Sequence, residues 1–202
     1  MSSYLVVAGV SEALRRVLWQ ELSVDPEVSQ LVPSEDDIVF ANPTETARNT
    51  SNRVSLWLYQ VVENEFMKNR PWRGNGSTDL QPAPLALNLS YLITPFANQS
   101  SGANSRRDED HLLLGKVLEV FHDNGIILLR DTVNDLAEEL RIVLKRVTLE
   151  ELTRVWEALR EPYRLSVCYQ VSVARVDSRR VSPRARVVER AASESELLEA
   201  TG

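Results

Sequence analysis

The sequence predicts an α+β domain, a mostly antiparallel sheet of four to five strands packed with about three helices and joined in places by long arm loops. Three observations predict it. Residues 53–63 and 84–94 alternate with the two-residue period of a strand. Residues 4–23, 108–124 and the segment after Thr148 repeat apolar side chains at three- and four-residue steps. Between them run connections rich in Gly, Pro, Asn and Ser.

Taken in order, Val6, Val10, Leu14, Val17 and Leu18 form one stripe of a helix that Asp25-Pro26 ends. Trp19 falls half a turn from Val10, which leaves two readings: an exposed contact, or cover by another part of the same chain. Residues 37–41 read as a short strand stopped by Asn42-Pro43, and the polar residues 43–52 read as a loop. In the strand at 53–63, Val54, Leu56, Leu58 and Val62 share one face, and Ser55, Trp57, Tyr59 and Val61 the other. The strand at 84–94 sets Leu85, Leu87, Leu89, Tyr91 and Ile93 against Ala86, Asn88, Ser90 and Thr94, the pattern of a half-buried antiparallel strand.

The connection 64–83 holds Pro71, Gly74, Gly76 and Pro82, so it reads as an irregular hairpin arm. A connection longer than about 12 residues in a compact domain is usually functional or disordered, and Phe66, Met67 and Trp72 point to contact. Residues 97–107, rich in Asn, Ser and Gly, read as a second, mobile loop. Asp108, Glu109 and Asp110 suit the first turn of the next helix, Leu114, Val117, Leu118 and Phe121 its buried stripe, and Gly125 a left-handed stop. Residues 141–147 read as an amphipathic edge strand guarded by Lys145. Thr148 and Glu151 make a capping box for a helix with Leu152, Val155, Trp156 and Leu159 on its core face, ending before Pro162. A last strand, 165–176, alternates Leu165, Val167, Tyr169, Val171 and Val173 with polar and small residues. Beyond Asp177 the chain turns basic and then acidic with few apolar residues, so residues 1–177 read as one domain and 178–202 as a C-terminal arm.

Composition narrows the class. At 43% hydrophobic and 26% charged residues, the 202-residue chain can bury a sizeable core. A formal net charge of -6 argues against tracking phosphates, so no nucleic-acid partner is expected. The lone Cys168 allows neither an internal disulfide nor a multi-thiolate metal site. Residues 1–10 lack the basic start of a secretory signal, and no apolar run nears the ~20 residues of a membrane span, so a soluble cytoplasmic protein without membrane insertion is expected.

Chemistry is sparse. His111 and His122 lie eleven residues apart on one predicted helix, roughly 16 Å, too far to share an ion. The run Asp108-Glu109-Asp110 diverges by about 100° per residue and does not converge as an acid and base pair. Cys168, on a strand between Val167 and Tyr169, reads as a packed residue rather than a nucleophile. Gly74-Asn75-Gly76 lacks the strand-to-helix setting and Gly-Lys-Ser/Thr ending of a phosphate loop, and no G-x-S-x-G elbow occurs. No catalytic residue, cofactor or metal is expected.

Six ordered blocks carry a resemblance instead. They are Ile38-Val39-Phe40 before Pro43; Leu56-Trp57-Leu58-Tyr59-Gln60 with Glu63-Asn64-Glu65; Pro84-Leu85-Ala86-Leu87 leading to Tyr91-Leu92-Ile93-Thr94; His111-Leu112-Leu113-Leu114-Gly115; Arg141-Ile142 leading to Trp156-Glu157-Ala158-Leu159; and Pro162-Tyr163-Arg164-Leu165-Ser166-Val167 with Tyr169. Over residues 5–177 this order resembles the N-terminal domain of tail-terminator, or cap, proteins of extracellular contractile injection systems, which are phage-tail-like particles. The resemblance implies a tail-terminator-like fold and a homohexameric ring seated on the last layer of the inner tube and meeting the end of the sheath, so that polymerisation stops there. Its partners would be further copies of itself, the inner tube protein and the sheath protein.

Candidate interface residues are Trp57, Tyr59, Phe66, Met67 and Trp72, because large aromatics dominate interface energetics. Trp57 has a second reading, cover beneath a helix of its own chain. Residues 181–189, with Val181, Arg184, Arg186 and Val187, are the candidate strand for addition to a sheath subunit's edge. The rival classes are an enzyme or small-ligand binder using Gln60, Asn88 and His111 between sheet and helices, and an adaptor unrelated to injection machines.

Overall fold

The computed structural model describes residues 4–68, 73–75, 79–97, 102–130, 137–176 and 182–183. Its elements are α1 (Val6–Val24), β1 (Ile38–Val39), α2 (Pro43–Arg48), β2 (Val54–Glu63), β3 (Arg73–Asn75), β4 (Asp79–Gln81), β5 (Leu85–Pro95), α3 (Ala103–Asp123), β6 (Ile126–Arg130), β7 (Ala137–Leu144), α4 (Leu149–Leu159), β8 (Val167–Val176) and β9 (Ser182–Pro183). Mixed α+β architecture is thus observed, with more elements among the described residues than expected: four helices, a six-stranded sheet in the order β1-β2-β5-β8-β7-β6, and a small sheet β3-β4-β9. All pairings are antiparallel except β1 with β2.

One face of the large sheet is covered by α1 and α3. Val6, Val10, Leu14, Leu18 and Leu22 of α1 are buried, as are Leu113, Val117, Val120 and Phe121 of α3, against Leu56, Leu89, Tyr91, Ile93, Leu140, Ile142, Tyr169 and Val171. Ser11 and Tyr91 share a buried 2.8 Å hydrogen bond between α1 and the sheet, and Phe121 meets Tyr169 edge-on at 5.0 Å. Trp19 packs against this core, which settles its two readings in favour of cover within the chain. The second face is covered only in part, by α2 and α4. Ser55 donates to the Ala41 carbonyl at 2.8 Å, Thr44 to the Leu159 carbonyl at 3.5 Å, and Trp156 of α4 is buried.

Several expectations are corrected. Residues 43–48 form α2 rather than a loop. Asn42 accepts from the Glu45 N–H and Pro43 opens the first turn, but six residues are too few to print a periodic stripe. Helix α3 begins at Ala103, five residues inside the expected loop, so Asp108–Asp110 are not in its first turn. Asp110 accepts the Ala97 N–H at 2.7 Å and faces Arg164 at 3.7 Å. Among the described non-glycine residues the left-handed one is Arg160 at the end of α4 (φ 57), and Gly125 is not left-handed. Strand β6, uniformly apolar and therefore without alternation, was not expected. It covers β7, which spans 137–144 and is interior rather than an edge. Lys145 lies past the end of β7. Finally, β5 is buried on both faces, not half-buried, because helices lie on either side.

The Thr148–Glu151 capping box is present as expected, with the Glu151 N–H on Thr148 Oγ1 at 3.2 Å and the Thr148 N–H on Glu151 at 2.8 Å. Two substitutions calibrate the core. Leu14→Ala should cost about 2–5 kcal/mol through lost burial and a cavity, whereas Tyr91→Phe should cost about 1 kcal/mol through its one hydrogen bond. Urea unfolding followed by circular dichroism reads both.

Candidate assembly surface

Strand β2 carries the first candidate residues, and its register explains their placement. It pairs Leu58 with Tyr91 and then Gln60 with Ser90, so Tyr59 is an inserted residue, a β-bulge. The bulge inverts the parity beyond it. Val61 lies opposite the buried Leu89 and Val62 opposite Asn88, so Val62 shares the second face with Trp57 and Gln60, not the core face with Leu56. Trp57 and Tyr59 are half-buried with ring centroids 6.1 Å apart.

Tyr59 is held by a polar clamp from Lys145. The ammonium lies 3.4 Å from the Tyr59 hydroxyl, 3.2 Å from Gln60 Oε1, 3.4 Å from Ser90 Oγ, and 5.7 Å from the Tyr59 ring centroid. Burial, with Cys168 adjacent, pushes the Tyr59 phenol well above its ordinary value, and burial likewise pushes the Cys168 thiol up. Both groups are therefore neutral at pH 7, and a protonated, buried thiol is a poor nucleophile. The cluster locks β7 to β2 across β8 and β5; it has no reactive group poised for chemistry.

Phe66 is the opposite case. It sits on a 3₁₀ turn, Glu65–Met67, its own N–H donating to Asn64 Oδ1 at 3.1 Å, and it is 99% exposed. Met67 is half-buried beside it, and the exposed Val61, Val62 and Leu85 lie at the same end of the sheet. Large apolar side chains left together in water mark contact surfaces. Trp72, Val181, Arg184, Arg186 and Val187 lie outside the described residues.

The arm at 64–83 is more regular than expected. It contains that 3₁₀ turn and a hairpin in which Arg73, Gly74 and Asn75 face Gln81, Leu80 and Asp79. Its outer strand then pairs with the tail, Asp79 with Pro183 and Leu80 with Ser182. The two segments that sequence alone treats as separate arms thus meet in one small sheet. No local signal could have shown this, because the pairing joins residues about a hundred positions apart.

The residues of the rival reading do not converge. Gln60 bonds Lys145, Asn88 accepts from Asn64 Nδ2 at 3.2 Å, and His111 is exposed on α3. None of the three lines the cavity beside Arg106 and Asp110, the one between Leu118 and Val143, or the one beside Trp156. No group of three His, Cys, Asp or Glu among the described residues is placed to hold a metal.

With this geometry in hand, comparison with known proteins decides the family. The model of the Pvc16 N-terminal domain matches residues 9–190. The chain belongs to that family. Two solved structures share the fold of this Pvc16 N-terminal domain. One is the sheath/tube terminator of an extracellular contractile injection system, PVC, in its extended state: 21% identity, TM-score 0.59, covering 94% of this chain and 65% of that one. The other is the tube-terminating cap of the anti-feeding prophage: 19% identity, TM-score 0.57, covering 91% of this chain and 60% of that one. The chain thus spans less than two thirds of the length of either solved structure. No curated protein matches its sequence.

The buried phenol and thiol make alkaline stability a test of the clamp. Each group holds its proton to higher pH in the folded than in the unfolded chain, so above its ordinary value the folded state binds more protons and stability falls as pH rises. The decline should begin near pH 9, the ordinary value for Cys168, and steepen past 10, that of Tyr59. Urea midpoints from pH 7 to 11 should show this, with the onset delayed in Cys168→Ala.

Proposed function

We propose that this Pvc16-family domain is the structural terminator of a contractile injection system. It forms a ring, a homohexamer, on the distal end of the inner tube and sheath, ends their polymerisation and couples one to the other. The observation that carries the reading is the likeness of nearly the whole chain to two tube terminators, together with its family. The surface is compatible: exposed apolar groups stand at the ends and edges of strands, among them Val61, Val62, Leu85, Ile126 and Leu128, where other chains can meet them. The role needs no active site and no cofactor.

Within the proposal, residues 1–177 are the ring-forming domain and 178–202 the arm that reaches a neighbour. Phe66, with Met67 and Trp72, is the leading tube or subunit contact, and Trp57 and Tyr59 support it from within. Residues 181–189, with Val181, Arg184, Arg186 and Val187, add to a sheath subunit's edge, the β4–β9 pairing anchoring their start. The particle is assembled in the cytoplasm. Among the described residues no helix is long and apolar enough to cross a membrane.

Particles from cells lacking the chain should show tubes and sheaths of uncontrolled length, or sheaths that contract prematurely; normal length with stable extended sheaths in electron micrographs would defeat the proposal. Phe66→Asp, at a fully exposed position, should change stability by less than about 0.5 kcal/mol yet sharply lower the amount of the chain retained on purified particles. Ending the chain after Ser178 should leave rings on tubes but release them when the sheath contracts.

A further inference from the structure

The large sheet ends in two unpaired edges on opposite sides. Strand β1 pairs only with Val54 and Ser55, so from Leu56 to Glu63 the outer side of β2 has no partner strand among the described residues. At the other end β6, among the described residues, is paired to β7 alone. An unpaired edge presents a row of free N–H and C=O groups, and natural proteins usually guard it with charge or a cover. Here charge stands only at the far ends of the two strands, Glu63 on β2 and Arg130 on β6, and β2 carries the Tyr59 bulge midway along it. On β6, Ile126 and Leu128 are 59% and 58% exposed, and Val143 beside them on β7 is exposed too. On β2, the exposed Val62 lies on the same face of the sheet, because the Tyr59 bulge turns it there.

We infer that the β6 edge of one copy pairs with the β2 edge of the next, so that the six-stranded sheets join into one sheet running around a ring of this chain. The occupant of each edge is a second copy, on three grounds. The two edges are different surfaces on opposite sides of one subunit, which is the arrangement a head-to-tail, ring-closing contact requires. Each successive pair in β2-β5-β8-β7-β6 is antiparallel, so β2 and β6 point the same way, and cyclic symmetry, which preserves direction along the axis, brings them together as parallel neighbours. Joining them sets Ile126 and Leu128 beside Val62 on one continuous face and removes both exposed patches together. The inference rests on the ring proposed above and names the strands that close it.

The test is crosslinking in isolated sheathed particles, using a short bismaleimide on Val62→Cys, Leu128→Cys and the variant carrying both. The two positions are four strand spacings apart, about 19 Å along the sheet, so a bridge within one chain is not expected. Cys168 is buried and provides the background in the unaltered chain. The double variant should give a ladder of multimers on a denaturing gel, and neither single variant should. A double variant that stays a single band in particles carrying it overturns the inference while leaving the cap reading standing. A dimer from Leu128→Cys alone also overturns it, since β6 would then meet β6 around a two-fold axis. Particles that carry none of the chain overturn both. Leu128→Glu supplies an independent readout: with the thermal melt unchanged, since the side chain is exposed, ring assembly should be lost, and rings forming normally would count against the inference.

Discussion

Strand β5 is paired along both edges, to β2 and to β8, and covered on both faces by helices. Its backbone groups therefore depend on the register of its two neighbours, which is continuous except at the Tyr59 bulge of β2 and where Asn88 is skipped in the pairing to β8. That constraint organises the rest. Leu89, Tyr91 and Ile93 fix where α1 and α3 settle, while Leu92 and Thr94 point to the side that α2 and α4 close. Tyr91 ties the strand to α1 through Ser11, and Ser90 on the opposite face takes part in the Lys145 clamp. A strand held this way is the rigid centre of the domain, and what remains free to meet other molecules is the periphery: the β2 and β6 edges, the turn bearing Phe66 and the arm joined to the tail.

The clamp around Lys145 shows how a polar group inside such a scaffold serves geometry rather than reaction. Its ammonium bonds three oxygens from β2 and β5, and its own N–H donates to the Cys168 carbonyl at 2.8 Å, so one residue links β2, β5 and β8. Tyr59, extruded by the bulge, fills the space over the sheet that a regular strand would have left. The arrangement makes the register of β2 hard to slip, and a defined register is what an edge needs if it is to meet a partner in one way only.

Much of the fold is legible in the sequence because two periods dominate it. The stripes of α1 and α4, the capping box at Thr148 and the alternation of β2, β5 and β8 follow directly from residue spacing. Features that spacing does not encode were missed: β6 is apolar on both faces, α2 is shorter than two turns, and the end of β7 was displaced by reading Lys145 as an edge guard. Parity counting failed at Tyr59, where one extra residue reverses the faces. For the candidate surface, Phe66 stood out as an aromatic in a Gly- and Pro-rich connection, whereas the β4–β9 pairing and the second free edge exist only once distant segments are folded together.

A scaffold with a rigid centre and apolar, unpaired strand edges among its described residues can present those edges to other chains. The most direct measurement is the position of this chain in intact particles, by cryo-electron microscopy with a label fused after residue 202. The account predicts label at one end of each extended particle, at the terminus of tube and sheath remote from the baseplate. Label spread along the sheath, or particles of normal form without any, would contradict it.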